Sequence, residues 1–189
     1  VFTYALNPIS ESYAHLPKTL RQSVSNFIYN LKFPVRLANN ILQGKIQNSF
    51  NEMDRFIVNS TVGIGGLFDP ATTYLEIPTH DEDFGQTLGH YGVGSGFHIV
   101  LPFLGPSNVR DVVGLVADGY ISPLNSMDDL VKHKIPKTYI HSAGIKTAEI
   151  INKNSLNLGA YESLKKDAIE LYPFLRDVYE QKREAEIDK

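Results

Sequence analysis

The chain has 189 residues, a formal net charge of −3 and no cysteine. That length suits one domain with a sizeable core. The charge offers no electrostatic footprint for nucleic acid, and the missing cysteine excludes disulfides, thiol nucleophiles and Cys-ligated metals within it. Pro17 suits the first turn of a helix, and the spacing of Leu20, Val24, Phe27, Ile28 and Leu31 predicts that this face is buried. Pro34 breaks or kinks it. Val35, Leu37, Ala38, Ile41 and Leu42 then predict a second helix, stopping at Gly44. From Lys45 to Thr61 the pattern repeats, with Ile46, Phe50, Met53 and Ile57 inward and Phe56 at the edge of the stripe. Gly63, Gly65 and Gly66 end that helix, and Pro70 discourages its immediate return.

Residues 71–79 read as irregular, and HDEDFGQTLGHYG as a short helix with acidic residues in its first turn. FHIVLPFL is apolar and interrupted by Pro102, so helix and strand cannot be separated there. Ser107 is the expected N-cap of a helix that buries Val109, Val112, Val113 and Val116 and stops at Gly119. Beyond Pro123, two further helices are predicted over 136–153 and 160–189, the second kinked or broken at Pro173. No alternating strand stands out, so the expected class is all-α, in a single domain over 1–189. Nowhere do 18 apolar residues follow one another, so no standard membrane-spanning helix is expected. A protein lying within one leaflet remains compatible with this pattern.

Catalytic and metal signals are sparse. The six histidines (His15, His80, His90, His98, His133 and His141) never fall three or four apart. His80 with Asp81, Glu82 and Asp83 has the composition of a cation site but reads as a solvated helix start. Gly92-Val93-Gly94-Ser95-Gly96 superficially resembles a phosphate loop, yet no strand precedes it and no lysine follows. Ser95 lacks the flanking glycines of a nucleophile elbow. No cofactor, metal or nucleotide is expected.

Two stretches carry no Asp, Glu, Lys or Arg: Phe56–Phe68 and Phe84–Val109, which together hold nine of the 14 glycines. The second lies within DFGQTLGHYGVGSGFHIVLPFLGPSNVRD (Asp83–Asp111). It follows VSNFIYNLKFPVRLANNILQGK (Val24–Lys45) and RFIVNSTVGIGGLFDPA (Arg55–Ala71), and precedes VGLVADGYISPL (Val113–Leu124). In this order and form the blocks resemble the MlaA/VacJ family of Gram-negative outer-membrane lipoproteins, over about residues 5–124. The family's central block runs roughly DFGQTLGxWGVGxGPYxVLPLLGPSSxRD. Tyr91, Phe97 and His98 depart from it; the first two stay largely apolar, whereas His98 adds a titratable group.

The resemblance implies a ring- or disc-like bundle of amphipathic helices, with glycine-rich loops around a central amphipathic channel, held in the inner leaflet of the outer membrane. It implies a passive, non-enzymatic phospholipid channel that removes mislocalised phospholipid from the outer leaflet. The lipid passes to a periplasmic lipid-shuttle protein, and the family associates with trimeric porins. A lipid-acting hydrolase with His90 or His98 as base, or a purely structural porin-associated protein, is the alternative. The acylated cysteine of such a lipoprotein is expected to precede Val1, leaving the chain on the periplasmic face.

Gly63, Gly65, Gly66, Gly89, His90, Tyr91, Gly92, Val93, Gly94 and Gly96 are the candidates for channel or gating loop, with Gly92 and Gly94 as the hinge. The two uncharged stretches are expected to lie close together and border the channel. Asp69, Ser107, Arg110, Asp111 and Asp118 are expected to cap helices, bind backbone amides or form ion pairs, with Arg110 paired to Asp83 or Asp69.

Overall fold

An amphipathic helix shows by its period which residues share a face, but not which face points inward. A computed structural model of the chain, describing residues 6–101, 104–124, 139–158 and 170–189, supplies that direction. Its elements are α1 (Asn7–Tyr13), α2 (Lys18–Leu31), α3 (Phe33–Leu42), α4 (Ile46–Thr61), α5 (Pro70–Thr73), α6 (Phe84–His90), β1 (His98–Leu101), β2 (Gly105–Asn108), α7 (Val109–Ile121), α8 (Tyr139–Leu156) and α9 (Leu171–Ile187). The fold is helical, as expected.

The apolar stripes are where the period puts them, but they face out. Leu20, Ile41, Ile46, Phe50 and Ile57 each expose 50–56% of their surface, and Phe27, Leu42, Met53, Val109, Val113 and Val116 are exposed too. Of the residues expected inside, only Ile28 and Val35 are buried. The opposite faces fill the interior: Arg21 and Asn30 of α2, Arg36, Asn39 and Asn40 of α3, and Ser49, Glu52, Arg55 and Asn59 of α4. Among the described residues, the largest fully buried side chains are Arg55, Glu52, Asn39, Asn40, Asn108 and Asn152. The expectation of an aliphatic core is therefore corrected. The period is the same whether an apolar stripe meets a core or the acyl chains of a leaflet.

A polar interior stands only if its groups are paired. Asn39 donates to the Val35 carbonyl and to Asp118 Oδ1, both at 2.9 Å, while its own Oδ1 accepts from Thr87 Oγ1 at 2.8 Å. One side chain thus joins α3 to α6 and α7. Arg36 Nε donates to Glu52 Oε2 at 2.6 Å, and Glu52 Oε1 accepts from the backbone N–H of His80 at 2.9 Å. Arg55 donates to Asp69, Thr72 and the Ile77 carbonyl at 2.7–2.9 Å, tying the irregular segment after α5 to α4. Where α6 crosses α7, a Cβ on Gly114 would run into the backbone of Gly85, so the two helices touch backbone to backbone.

The helix ends refine three expectations. Asp69 caps α5, its side chain accepting from Thr72 N–H. Asp83 and Gln86 form a reciprocal capping box on α6. Asn108, not Ser107, caps α7, accepting from Asp111 N–H at 2.8 Å. Ser107 belongs to β2 because the chain stays extended one residue further. That strand is the second correction: β1 and β2 form an antiparallel hairpin in which His98 faces Asn108 and Leu101 faces Gly105. β-Branched Ile99 and Val100 favour extended backbone, and Pro106, lacking an N–H, is tolerated because both strands are edges. Pro173 lies in the first turn of α9, which starts at Leu171 after an extended Glu170, so the chain is interrupted at this point as expected. The predicted helix residues 136–138 and 160–169 lie outside the described residues.

The inverted packing makes a stability prediction. Asn39→Leu, nominally an improvement of a core, strands Asp118 and Thr87 and is expected to cost about 2–4 kcal/mol. Ile46→Gln on the outward face should cost under about 1 kcal/mol in detergent. Thermal unfolding of both variants in the same detergent checks this, and a larger loss for Ile46→Gln would reverse the assignment of faces.

Candidate functional site

With polar faces turned inward, the space between helices is lined by charge. A cavity of about 310 Å³ lies between α2, α3, residues 81–83, α7 and α8. A larger one of about 820 Å³ lies between the hairpin, α8 and α9, with Leu6 also in its wall. Lys32, Leu115, Lys146, Glu149 and Lys153 line both, so the two adjoin across one belt. Both volumes fall in the range of small-molecule sites.

The belt is built by spacing. Lys146, Glu149 and Lys153 stand at i, i+3 and i+7 on one face of α8, and Lys32 caps the C-terminal end of α2. Lys32 Nζ donates to both oxygens of Glu149 at 2.6 Å, and Lys153 Nζ approaches the same carboxylate at 2.9 Å. Burial pushes the Lys32 ammonium below its ordinary pKa against the pull of Glu149, with Lys153 and Lys146 adding to the lowering. Burial also opposes the Glu149 charge, but the two lysines outweigh it and hold its carboxyl below the usual range.

The small cavity is acidic beyond the belt, with Asp81, Glu82, Asp83 and Asp118 in its wall. Glu82 is taken up by Lys45 and Gln43, both at 2.8 Å. Asp83 is held by Arg183 of α9, and Asp118 accepts from the backbone N–H of Phe84 and from Asn39. Burial raises the Asp118 carboxyl to about 6 in spite of those hydrogen bonds, and the Asp83 charge adds to the rise. Burial also raises the Tyr29 phenol well above its ordinary value. Arg36, stacked 3.6 Å over its ring, opposes the rise while Asp81 and Glu52 reinforce it. The His80 ring contacts Asn51 at 3.1 Å rather than the neighbouring carboxylates.

The sequence candidates lie elsewhere. Gly63, Gly65 and Gly66 form the turn after α4; Gly63 abuts the Asn59 and Phe68 carbonyls, and Gly66 the Asn30 side chain. Gly89 sits against Ile187 of α9. His90 is exposed, edge-on to Tyr91, whose hydroxyl donates to the Leu42 carbonyl at 2.6 Å. Gly92, at φ +83°, closes α6: its N–H bonds to Gly89 O at 2.8 Å and the Val93 N–H to Leu88 O at 3.0 Å. Gly94 has no such φ and open space around it; Gly96, at φ +71°, faces Val109.

Residues 93–97 are stitched to the start of α7, with Arg110 N–H on Ser95 O, Val109 N–H on Phe97 O and Arg110 Nη1 reaching Val93 O at 3.4 Å. None of these ten candidates lines either cavity, nor does the stretch Phe56–Phe68; the second uncharged stretch reaches the larger cavity through His98, Val100 and Gly105.

Arg110 pairs with Asp111 at 3.2 Å, not with Asp83 or Asp69. Those two are occupied, Asp69 by Arg55 and Asp83 by Arg183. Asp111 is itself bound by Arg183 at 2.9 Å. Lys32, Lys146, Glu149, Lys153 and Arg183 stand outside the sequence candidates. The one-face spacing on α8 was visible in the sequence; the meeting of Arg183 with Asp83, 100 residues away, was not.

The sequence model of the MlaA lipoprotein family matches residues 1–186. The "Intermembrane phospholipid transport system lipoprotein MlaA" of Escherichia coli is 31% identical over 186 residues, covering 96% of this chain and 69% of that protein. An uncharacterized protein of Rickettsia bellii is 30% identical over 187 residues, 96% of this chain and 68% of its own. A solved structure concerned with the structural basis for maintenance of bacterial outer membrane lipid asymmetry superposes with a TM-score of 0.80 at 28% identity, over 98% of this chain and 89% of that one.

Asp118 gives the site a pH signature. Its folded pKa lies above its ordinary 3.8, so the stability it contributes is complete below about pH 4 and lost as pH rises through about 6. A carboxyl-carbon NMR titration of Asp118 should have its midpoint near 6; a midpoint near 4 would mean that the carboxyl is solvated.

Proposed function

The chain belongs to the MlaA lipoprotein family, and we propose from that premise that it transports phospholipid, drawing mislocalised lipid from the outer leaflet of the outer membrane and passing it toward the periplasm. The observation that carries the reading is the inversion of the helices. An outward girdle of Phe27, Ile41, Ile46, Phe50, Ile57 and Val113 suits acyl chains, and an inward polar lining suits a headgroup. Among the described residues no helix is long and apolar enough to cross a membrane. α4, at 16 residues, is about 24 Å long and short of a full span. Such a body belongs within one leaflet, where a lipid is lifted by its headgroup while its tails follow the apolar wall.

Transfer of this kind runs downhill and takes its energy from the lipid's own displacement. A soluble periplasmic lipid shuttle is the acceptor, and a trimeric porin is the neighbour that would hold the body in place. The names of the relatives, transport-system lipoproteins, favour a carrier over an enzyme. The stretch Tyr91–Phe97 is the proposed gate, pinned at one end by Tyr91 on α3 and at the other by the start of α7. Gly94 is its most substitutable point, since a Cβ there meets nothing within 4 Å.

Two measurements test this. Protein extracted from membranes should carry intact phospholipid by mass spectrometry; lysolipid and fatty acid would favour a hydrolase instead. Gly94→Val should slow transfer of a fluorescent phospholipid between vesicles while leaving the melting temperature within about 2 °C, because the residue has room but loses backbone freedom. Lowered stability with unchanged transfer would reject the gate.

A further inference from the structure

Most charges in the two cavities are already spoken for. Arg36 is paired with Glu52, Glu82 with Lys45, Asp83 with Arg183, and Lys32 and Lys153 with Glu149. Two are not. Among the described residues Lys146 makes no hydrogen bond or ion pair, and it lines both cavities. Asp81 lines only the small one; its side chain is 71% exposed, its ion-pair contact there is Arg36 at 4.0 Å, a cation already bonded to Glu52 at 2.6 Å, and its other polar neighbour is the Tyr29 phenol.

The surroundings sort in the same sense. The large cavity carries Lys32, Lys146, Lys153 and Lys182 against Glu149, and between them it is walled by Leu6, Val100, Leu104, Ile150, Leu175 and Val178. The small one turns acidic beyond the shared belt, through Asp81, Asp83 and Asp118. The order is therefore apolar wall, ammonium belt, carboxylates.

A zwitterionic phospholipid with a primary amine has the same order: acyl chains, phosphate, ammonium. We infer that the two cavities form one headgroup-selective site. In it the phosphate sits on Lys146 at the belt, the amine points into the small cavity toward Asp81, and acyl chain occupies the large cavity. The assignment rests on the phospholipid reading above and sharpens it to a substrate class. A lipid with an anionic headgroup would gain the same lysines but offer nothing to the carboxylates, so it should be held less well.

The test uses protein purified from membranes in mild detergent. It is offered an equimolar mixture of phosphatidylethanolamine and phosphatidylglycerol with identical acyl chains, and the retained lipid is counted by native mass spectrometry. The wild type should favour phosphatidylethanolamine by about threefold to fivefold, the order expected for one exposed charge contact. Asp81→Asn should bring that ratio near one by lowering the phosphatidylethanolamine retained, with phosphatidylglycerol unchanged. Lys146→Gln should lower retention of both lipids several-fold. Lys146 makes no bond of its own among the described residues and the contact of Asp81 with Arg36 is long, at 4.0 Å; circular dichroism verifies that the helices persist. Equal retention, or a preference for phosphatidylglycerol, overturns the selectivity while leaving lipid transport intact. A Lys146→Gln variant that retains lipid normally overturns the phosphate placement. Failure of the wild type to retain either lipid overturns this inference and the transport reading together.

Discussion

The structure depends on one constraint: its polar residues must satisfy one another, because the helices turn them inward. Arg36, Asn39, Glu52 and Arg55 occupy positions that aliphatic side chains hold in a water-soluble bundle, and each is bonded across an element boundary. Removing a partner from such a buried pair typically costs about 3–5 kcal/mol, more than the net gain from forming it. Hydrogen bonding therefore sets which helices can meet, and the apolar surface is left for the surroundings. A ring of short helices with an apolar rim can then sit in a leaflet without any one of them spanning it.

The same principle holds α9 in place. Arg183 binds Asp83 at the start of α6 and Asp111 at the start of α7, at 2.8–2.9 Å, and Tyr179 donates to Asp111 at 2.6 Å. Burial opposes the Arg183 charge, but the two aspartates outweigh it and raise its pKa further. Burial opposes the Asp111 charge too, and Arg183 with Tyr179 overcomes it. Through this node the C-terminal helix becomes a wall of the larger cavity. The site is thus assembled from the family's most recognisable segment and from helices outside it.

Much of this was legible in the sequence. Helix positions followed from Pro17, Gly44, Gly63 and the 3.6-residue period, and the acidic start of α6 was visible before Asp83 and Gln86 were seen to close a capping box. Direction was not legible. Asn39 and Asn40 read as the solvated side of α3 because the period carries no information about the medium. The hairpin escaped notice because four-residue strands containing Pro106 offer no alternation to count. The glycines drew attention for their number, yet Gly63, Gly66, Gly89 and Gly114 mark tight packing. The lysine belt lines both cavities, and in the sequence its lysines are indistinguishable from ordinary surface charge. Only the fold brings Lys32 to Glu149, 117 residues on.

The central claim is that the apolar faces of α2, α3, α4 and α7 meet lipid while the polar faces meet one another. The absence of cysteine makes it directly measurable. Single cysteines at Ile46, Phe50, Ile57, Val113 and Tyr74, labelled with a nitroxide in reconstituted bilayers, report contact with oxygen, which concentrates in lipid, or with a water-soluble nickel chelate. Positions 46, 50, 57 and 113 should respond to oxygen and resist the chelate, whereas exposed Tyr74, in the irregular segment after α5, should respond to the chelate. Chelate contact at all five positions would contradict the account, since the helices would then face water and the inverted interior would have no physical cause.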